Sequence, residues 1–416
     1  MSMESRLRRG AWLLVAGLPA LVASGPHDRA QAQAAFAESS CIPGLDSLTS
    51  ATLRRALDYL GVEEPELGFD KLYAEDDTFR LAAVERILGN PLELPAFQQG
   101  LWDRLRSHAG SVSSLPEVMR CLGEAMEAPE PLTSPGRIMR PGSTAARLVQ
   151  PDSLSPFQDA ADRFVRSCDA VQASLDAAFA GLTDEDREEI LNAAPAFWGD
   201  PDDAEDAVRA GCLHREFGVT VSAVDDVGED AVLDAAARLN RPALTAASRQ
   251  FMESVVALWG DVQAVMTANP GATKTCSPIH GVDGSLLAVF DTPWGALVIA
   301  GAGQNIYTEE AMREIAFLVD LGGDDVYRGR ASSAVGGLLR SLAVLVDGGG
   351  VDLYDAGGRD FCLGGAVLGV AALIDLAGDD VYRAGDGTMG AGFFGSGLLA
   401  DWGGNDMFDG RNLCEG

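Results

Sequence analysis

The chain has 416 residues, 47% of them hydrophobic, and a formal net charge of −31. That length is enough for two or three domains with cores of their own. The charge excludes nucleic acid, whose phosphates would be repelled, and disfavours anionic lipid surfaces; it suits cations, basic partners or a salty medium.

Residues 1–35 read as a signal peptide. Arg6, Arg8 and Arg9 precede an apolar run from Ala11 to Ala23, and small residues around Ala30, Ala32 and Ala34 supply an A-x-A-like cleavage region. The run contains Pro19 and is short for a spanning helix. Arg8-Arg9 also fits a twin-arginine route, and a retained N-terminal anchor is the alternative. No cysteine sits in a lipobox-like setting, because Cys41 follows Glu38-Ser39-Ser40. No later segment is long and apolar enough to span a bilayer, so a soluble exported chain is expected, periplasmic, extracellular or at the cell surface. Without its first residues that chain carries about −33. Seven cysteines, at 41, 121, 168, 212, 276, 362 and 414, would survive cleavage. An oxidising compartment predicts disulfides among them, with at least one thiol left over.

Residues 36–127 have a helical pattern. Leu53, Leu57 and Leu60 recur at helical spacing and stop at Gly61; Leu81, Val84, Ile87 and Leu88 stop at Gly89-Asn90-Pro91. Ser114-Leu-Pro-Glu117 predicts a capping box opening a helix that runs through Met126. Residues 128–155 collect prolines, serines and glycines and read as a linker or extended arm. A helical domain is expected over 156–270. Within it, one helix starts at Ser155-Pro156 and carries Phe164, Val171, Leu175 and Phe179. Thr183 caps the next, and Pro242 opens a long one bearing Leu244, Phe251, Val255 and Leu258. The acidic run from Asp200 to Asp206 reads as a solvated loop rather than a metal cage.

From 276 to 416 the period changes. Two apolar β-type runs flank Thr292-Pro293-Trp294-Gly295, a turn signal, and Thr308 begins a short helix. Then one phrase recurs: VDLGGDDVY (Val319–Tyr327), VDGGGVDLY (Val346–Tyr354), IDLAGDDVY (Ile374–Tyr382) and ADWGGNDMF (Ala400–Phe408). Its closing aromatics lie 27, 28 and 26 residues apart, which defines an internal repeat. IAGAGQNIY (Ile299–Tyr307) is a worn earlier copy without the first aspartate. Aligned on that aspartate, three successive apolar columns precede it, among them Phe317, Val344, Ala372 and Leu398, so the strand should be covered on both faces. Recurring small residues, such as Gly336-Gly337 and Gly364-Gly365, allow close backbone approach. A unit of about 27 residues is too small to bury itself, so neighbours must stack. The expected fold is α+β and multidomain: N-terminal all-α regions, then a C-terminal β-solenoid like a parallel β-helix. A meander of antiparallel hairpins turning at the glycine pairs is the alternative.

Two acidic columns run through the repeat: Asp320, Asp347, Asp375 and Asp401, and Asp325, Asp352, Asp380 and Asp406. Between them Asp324, Val351, Asp379 and Asn405 vary, as expected of an exposed position. In stacked coils, equivalent carboxylates sit about 4.8 Å apart. At that distance two of them repel by roughly 3–4 kcal/mol at an effective dielectric near 20. Either a hard cation bridges the rungs, with Ca²⁺ the natural candidate outside the cell, or each carboxylate accepts backbone N–H groups as an Asx-type turn former. No copy has the oxygen-ligand loop of an EF-hand. The column Tyr307, Tyr327, Tyr354, Tyr382 and Phe408 reads as packing, with a sugar-stacking strip as the alternative; Phe408 suggests that the hydroxyl is dispensable.

The segments GDDVY (Gly323–Tyr327 and Gly378–Tyr382) and GNDMF (Gly404–Phe408) resemble the end of the RTX nonapeptide calcium repeat. That resemblance implies a ligand role for Asp325, Asp380 and Asp406. RTX repeats recur every nine residues, whereas here the phrase comes once per coil, and Val351 replaces the polar residue in one copy. The repeats are also similar to those of uncharacterised exported bacterial proteins with DLGGDDxY-type repeats, from which no activity carries over.

Enzymatic signatures are sparse. H-E-x-x-H, G-x-S-x-G and P-loop patterns do not occur. Cys212-x-His214 and Cys276-x₃-His280 have unorthodox spacing for zinc and offer a weak Cys–His nucleophile. Arg359-Asp360 and Asp386 depart from the repeat without an evident catalytic companion. The expected function is non-enzymatic: an exported repeat protein whose acidic turns bind calcium and stabilise a solenoid for surface adhesion or contact with an envelope component. The alternatives are a polysaccharide-active lyase or hydrolase on a β-helix, or a structural solenoid without an ion.

Overall fold

A computed structural model of the protein describes residues 41–68, 81–108, 110–128, 147–148, 155–195, 197, 212–218, 229–270 and 279–414. The signal-peptide segment, nearly all of the 128–155 linker, the Asp200–Asp206 run and Cys276 lie outside them. The chain forms two compact units, one up to Ser107 and one from His108 onward.

In the first unit, α1 (Ser47–Leu60) starts at Asp46, whose carboxylate accepts the N–H groups of Leu48 and Thr49. It ends at Gly61, whose φ of 66° is left-handed backbone that glycine adopts without strain. Then come α2 (Ala82–Gly89) and α3 (Leu94–His108).

The second unit places helices against the solenoid. Its helices are α4 (Leu115–Ala125), α5 (Gln158–Ala178), α6 (Asp184–Ala193), α7 (Cys212–Glu216), α8 (Glu229–Arg238) and α9 (Arg241–Ala268). Thr183 and Asp186 form the reciprocal cap of α6. The capping box expected at Ser114 does not form. A 3₁₀ turn over Val112–Ser114 leads straight into α4, and the Ser114 hydroxyl donates back to the Ser111 carbonyl.

At the start of the solenoid, β1 (Arg147–Leu148) pairs antiparallel with the strand over Leu286–Thr292. A short strand, β2 (Val282–Asp283), precedes β3 (Leu286–Thr292) and β4 (Gly295–Ala300), which form an antiparallel hairpin about the turn signal. After β5 (Ile306–Tyr307) and the short α10 (Glu309–Glu314), the regular coils start. Each has a long strand, a glycine turn, a short strand and a glycine-rich return. The long strands are β6 (Ile315–Val319), β9 (Leu342–Asp347), β12 (Val370–Asp375) and β15 (Ser396–Asp401). The short ones are β7 (Val326–Arg328), β10 (Leu353–Asp355), β13 (Val381–Arg383) and β16 (Met407–Asp409). The returns carry β8 (Ala334–Val335), β11 (Ala366–Val367) and β14 (Gly392–Phe393). Like pairs with like, in parallel and in register: β9 with β12 with β15, β7 with β10 with β13 with β16, and β8 with β11 with β14. This rules out the antiparallel meander. The worn copy is the first rung, because Tyr307 pairs with Tyr327.

The apolar columns of the long strands have two destinations. Leu318, Leu345 and Leu373 face the interior, in one core with the tyrosines. Phe317, Val344, Val346, Ala372 and Ile374 face out into a second core shared with α5 and α9. Phe317 meets Phe164 edge-on at 4.9 Å and Phe251 at 6.3 Å. Burying each such side chain contributes about 1.5–3 kcal/mol, so the helices cover a sheet that would otherwise present an apolar face. Within the second unit, the helical region docks on the repeats.

At some turn positions the coils approach too closely for a side chain. A Cβ on Gly350 would fall on the Gly323 carbonyl oxygen of the preceding coil. We expect Gly350→Ala to lower the stability of the chain by about 1–3 kcal/mol or more, read as the shift of its denaturant midpoint. An unchanged midpoint would contradict this stacking.

Candidate metal centre

Both acidic columns turn inward and are stacked by the coils. Asp347, Asp375 and Asp401 are direct register partners at the ends of β9, β12 and β15. Asp320 joins the column through its N–H, which donates to the Val346 carbonyl at 2.8 Å. Asp320, Asp347 and Asp375 have no exposed surface, and Asp325, Asp352 and Asp380 are 1% exposed. Asp401 and Asp406, in the last coil, are half-buried. Asp324, Val351, Asp379 and Asn405 lie outside, as their variation predicted.

The first column is held by tyrosines of the preceding coil. Tyr307 donates its hydroxyl to Asp320 Oδ2 at 2.6 Å, Tyr354 to Asp375 Oδ2 at 2.5 Å and Tyr382 to Asp401 Oδ2 at 2.9 Å. Tyr327 does the same for Asp347. Each carboxylate also accepts an N–H two residues on, from Gly322, Gly349, Ala377 or Gly403. The Asx-type turn is therefore present, and it uses one oxygen. The rings stack 4.7–5.0 Å apart, the rung spacing, and the four tyrosines are fully buried. A sugar-stacking strip is ruled out for them. The hydroxyl is used by all four tyrosines, and only Phe408, in the last described coil, lacks one.

The second column forms a different ladder. Asp325, Asp352, Asp380 and Asp406 each accept, at Oδ1, an N–H from the coil before. The donors are Asn305 at 2.5 Å, Asp325 at 2.6 Å, Asp352 at 2.7 Å and Asp380 at 3.0 Å. The Oδ2 atoms of Asp352 and Asp380 are buried without a hydrogen-bond partner. A buried acceptor left unmatched costs about 1–3 kcal/mol, more when charged.

Together the columns make three trios: Asp320–Asp325–Asp347, Asp347–Asp352–Asp375 and Asp380–Asp401–Asp406. In each, one oxygen from every residue lies within 4.8 Å of the others. An ion with metal–oxygen distances of about 2.4 Å spans oxygens up to about 4.8 Å apart, so these groups can hold a metal ion. Without one, burial pushes the acids up. Asp352 rises to about 9, through burial and then the charge of Asp347. Burial also lifts Asp375 to about 8, Asp347 to about 6 and Asp380 to about 6, against hydrogen bonds that pull each of them down. Protons or a cation must neutralise this interior.

Sequence reasoning missed Asn305, although QNIY places it where Asp325 stands one coil later. Its Nδ2 donates to Asp320 Oδ2 at 3.1 Å, and its Oδ1 accepts the Ser285 N–H at 2.6 Å, closing the column with an uncharged amide. A further ladder also went unread. Asp360 accepts the Asp386 N–H and Asp386 the Asn412 N–H, both at 2.8 Å. Arg411 pairs with both acids, and Arg359 pairs with Glu216 and Glu309. The departures from the repeat thus brace the coils and the α7 segment.

The zinc reading gathers no support. His214 is buried on α7, while His280 is exposed beside Glu310. His108, Glu117 and Cys121 are also close together, but Arg120 engages Glu117 there. Cys41, Cys168, Cys362 and Cys414 are free thiols rather than the expected disulfide partners. Cys168 and Cys362 sit in separate cores, one among helices and one inside the coils. Among the described residues, no helix is long and apolar enough to cross a membrane. Comparison with protein-family models, curated proteins and solved structures finds no match.

Proposed function

We propose that this is an exported, non-enzymatic repeat protein that binds Ca²⁺ inside its solenoid, the ion locking coils whose outer surface serves adhesion or contact with an envelope component. The observation that carries the reading is the meeting of buried carboxylates from successive coils, with oxygens left over after every turn and ladder hydrogen bond is made. An all-oxygen, all-carboxylate donor set suits a hard cation better than zinc or copper. Calcium takes six to eight oxygens in a flexible geometry, which suits clustered carboxylates better than the strict octahedron and retained waters of magnesium. Extracellular calcium modules work with Kd values of about 10⁻⁴–10⁻³ M, so an exported chain meets enough of the ion. The acidic surface is compatible with basic or cation-bridged partners.

Thermal unfolding of the full chain, in chelator and then in calcium, tests this. Binding to the folded state alone should stabilise it by about 2.7 kcal/mol at a hundred times Kd, a rise of several degrees in Tm. A Tm indifferent to calcium and chelator would leave a solenoid whose interior carries protons only.

A further inference from the structure

The trios are not equivalent. We propose that the solenoid takes divalent cations at two of them, Asp347–Asp352–Asp375 and Asp380–Asp401–Asp406, while Asp320–Asp325–Asp347 is closed by its own hydrogen bonds. This assignment rests on the calcium-binding reading above and adds to it position and stoichiometry.

In the first trio every carboxylate oxygen has a donor within 3.4 Å, although Asp325 Oδ2 and Asp347 Oδ2 share one hydroxyl. Asp320 Oδ2 takes the Tyr307 hydroxyl and the Asn305 amide, and its Oδ1 takes the Gly322 N–H. Asp325 Oδ1 takes the Asn305 N–H, and its Oδ2 lies 3.4 Å from the Tyr327 hydroxyl, whose proton goes to Asp347. Asp347 takes Tyr327 at one oxygen and the Gly349 N–H at the other. In the second and third trios a fully buried oxygen has no hydrogen-bond partner at all, Oδ2 of Asp352 and Oδ2 of Asp380, each on a residue 1% exposed. A carboxylate oxygen in that position, beside two further carboxylates, is satisfied by a cation or a proton and by little else. The two proposed sites share no residue, whereas the first and second trios share Asp347, so ions in both would sit on one carboxylate.

Asn305 shows why the first trio differs. It occupies the rung before Asp325 and gives Asp320 a neutral donor. One coil later the same position is Asp325, which has no side-chain N–H to give Asp347. The column is capped by an amide at its first rung and left anionic below it. Asparagine at 352 or 380 would copy that cap. It keeps the oxygen that accepts the ladder N–H and adds a donor, so these variants should fold.

Calcium titration of the chelator-stripped full chain by calorimetry tests the assignment. We expect two ions per wild-type chain, one for Asp352→Asn, one for Asp380→Asn and none for the double variant, while Asp325→Asn still binds two. In chelator at alkaline pH, Asp352→Asn should melt above wild type, because it removes a charge the ion-free site cannot match. Three ions per wild-type chain, loss of one in Asp325→Asn, or two retained in Asp352→Asn would overturn the assignment while leaving calcium binding intact. No binding by the wild-type chain would overturn the broader reading and this one with it.

Discussion

Replacing Tyr354 by alanine should cost about 3–5 kcal/mol, the usual price of deleting a buried aromatic ring. The ring is fully buried and stacks on Tyr327 at 4.8 Å and on Tyr382 at 4.7 Å. Its removal opens a gap in the interior column and also strands Asp375 Oδ2, which loses a 2.5 Å hydroxyl donor. Tyr354→Phe separates the two effects. It keeps the stack and loses only the donor, so about 1–3 kcal/mol is expected. Phe408→Tyr is the control: it adds a hydroxyl to a ring that is 38% exposed at the end of the stack, and a change within about 0.5 kcal/mol is expected. Denaturant midpoints for the three variants settle the matter. Equal effects for Tyr354→Phe and Phe408→Tyr would contradict the hydroxyl-to-aspartate ladder.

Stripped of divalent cations, the protein should lose stability steadily between about pH 5 and pH 9. The sign follows from the buried acids. Asp347 and Asp380 are lifted to about 6, Asp375 to about 8 and Asp352 to about 9, from an ordinary value of 3.8. Between the unfolded and folded values, the native chain holds protons that the unfolded chain has released. The stability these groups supply is complete below the unfolded value and is lost as pH rises through the folded ones. Each group removes up to about 1.4 kcal/mol per pH unit while it titrates. Acids held low act outside this window: Asp186, through the Thr183 N–H, and Glu216, where burial raises the acid but Arg330, Arg359 and Arg313 together lower it further, add stability only as pH climbs from acid. Millimolar calcium should flatten or reverse the decline, because the ion takes the place of protons and binds better as they leave. Scanning calorimetry across this range, with chelator and with calcium, gives the two slopes. An ion-free Tm that rises from pH 5 to pH 9 would refute the buried-acid interior.

The sequence by itself determined the repeat and, with it, much of the fold. A stretch near 27 residues cannot bury its own apolar columns, so Val344, Leu345 and Val346 could be satisfied only by stacking and by cover on both faces. The near-constant spacing likewise made Asp347, Asp375 and Asp401 vertical neighbours, since equivalent positions of successive coils lie one above the other. Periodicity reports what recurs along the chain, but not which atoms meet across a turn. The pairing of Tyr354 with Asp375, one coil on and 21 residues away, depends on how the glycine turn folds back. So does the choice of helices α5 and α9 to cover the outer face, around Phe317. Asn305, read as part of a worn copy, proved to be the cap of the acidic column, because its role depends on the amide reaching Asp320. Which carboxylate oxygens are used up by hydrogen bonds, and which are left without a donor at Asp352 and Asp380, emerges only in three dimensions. A satisfied oxygen and an orphan one look alike in sequence, and differ only by the donors that three dimensions bring to them.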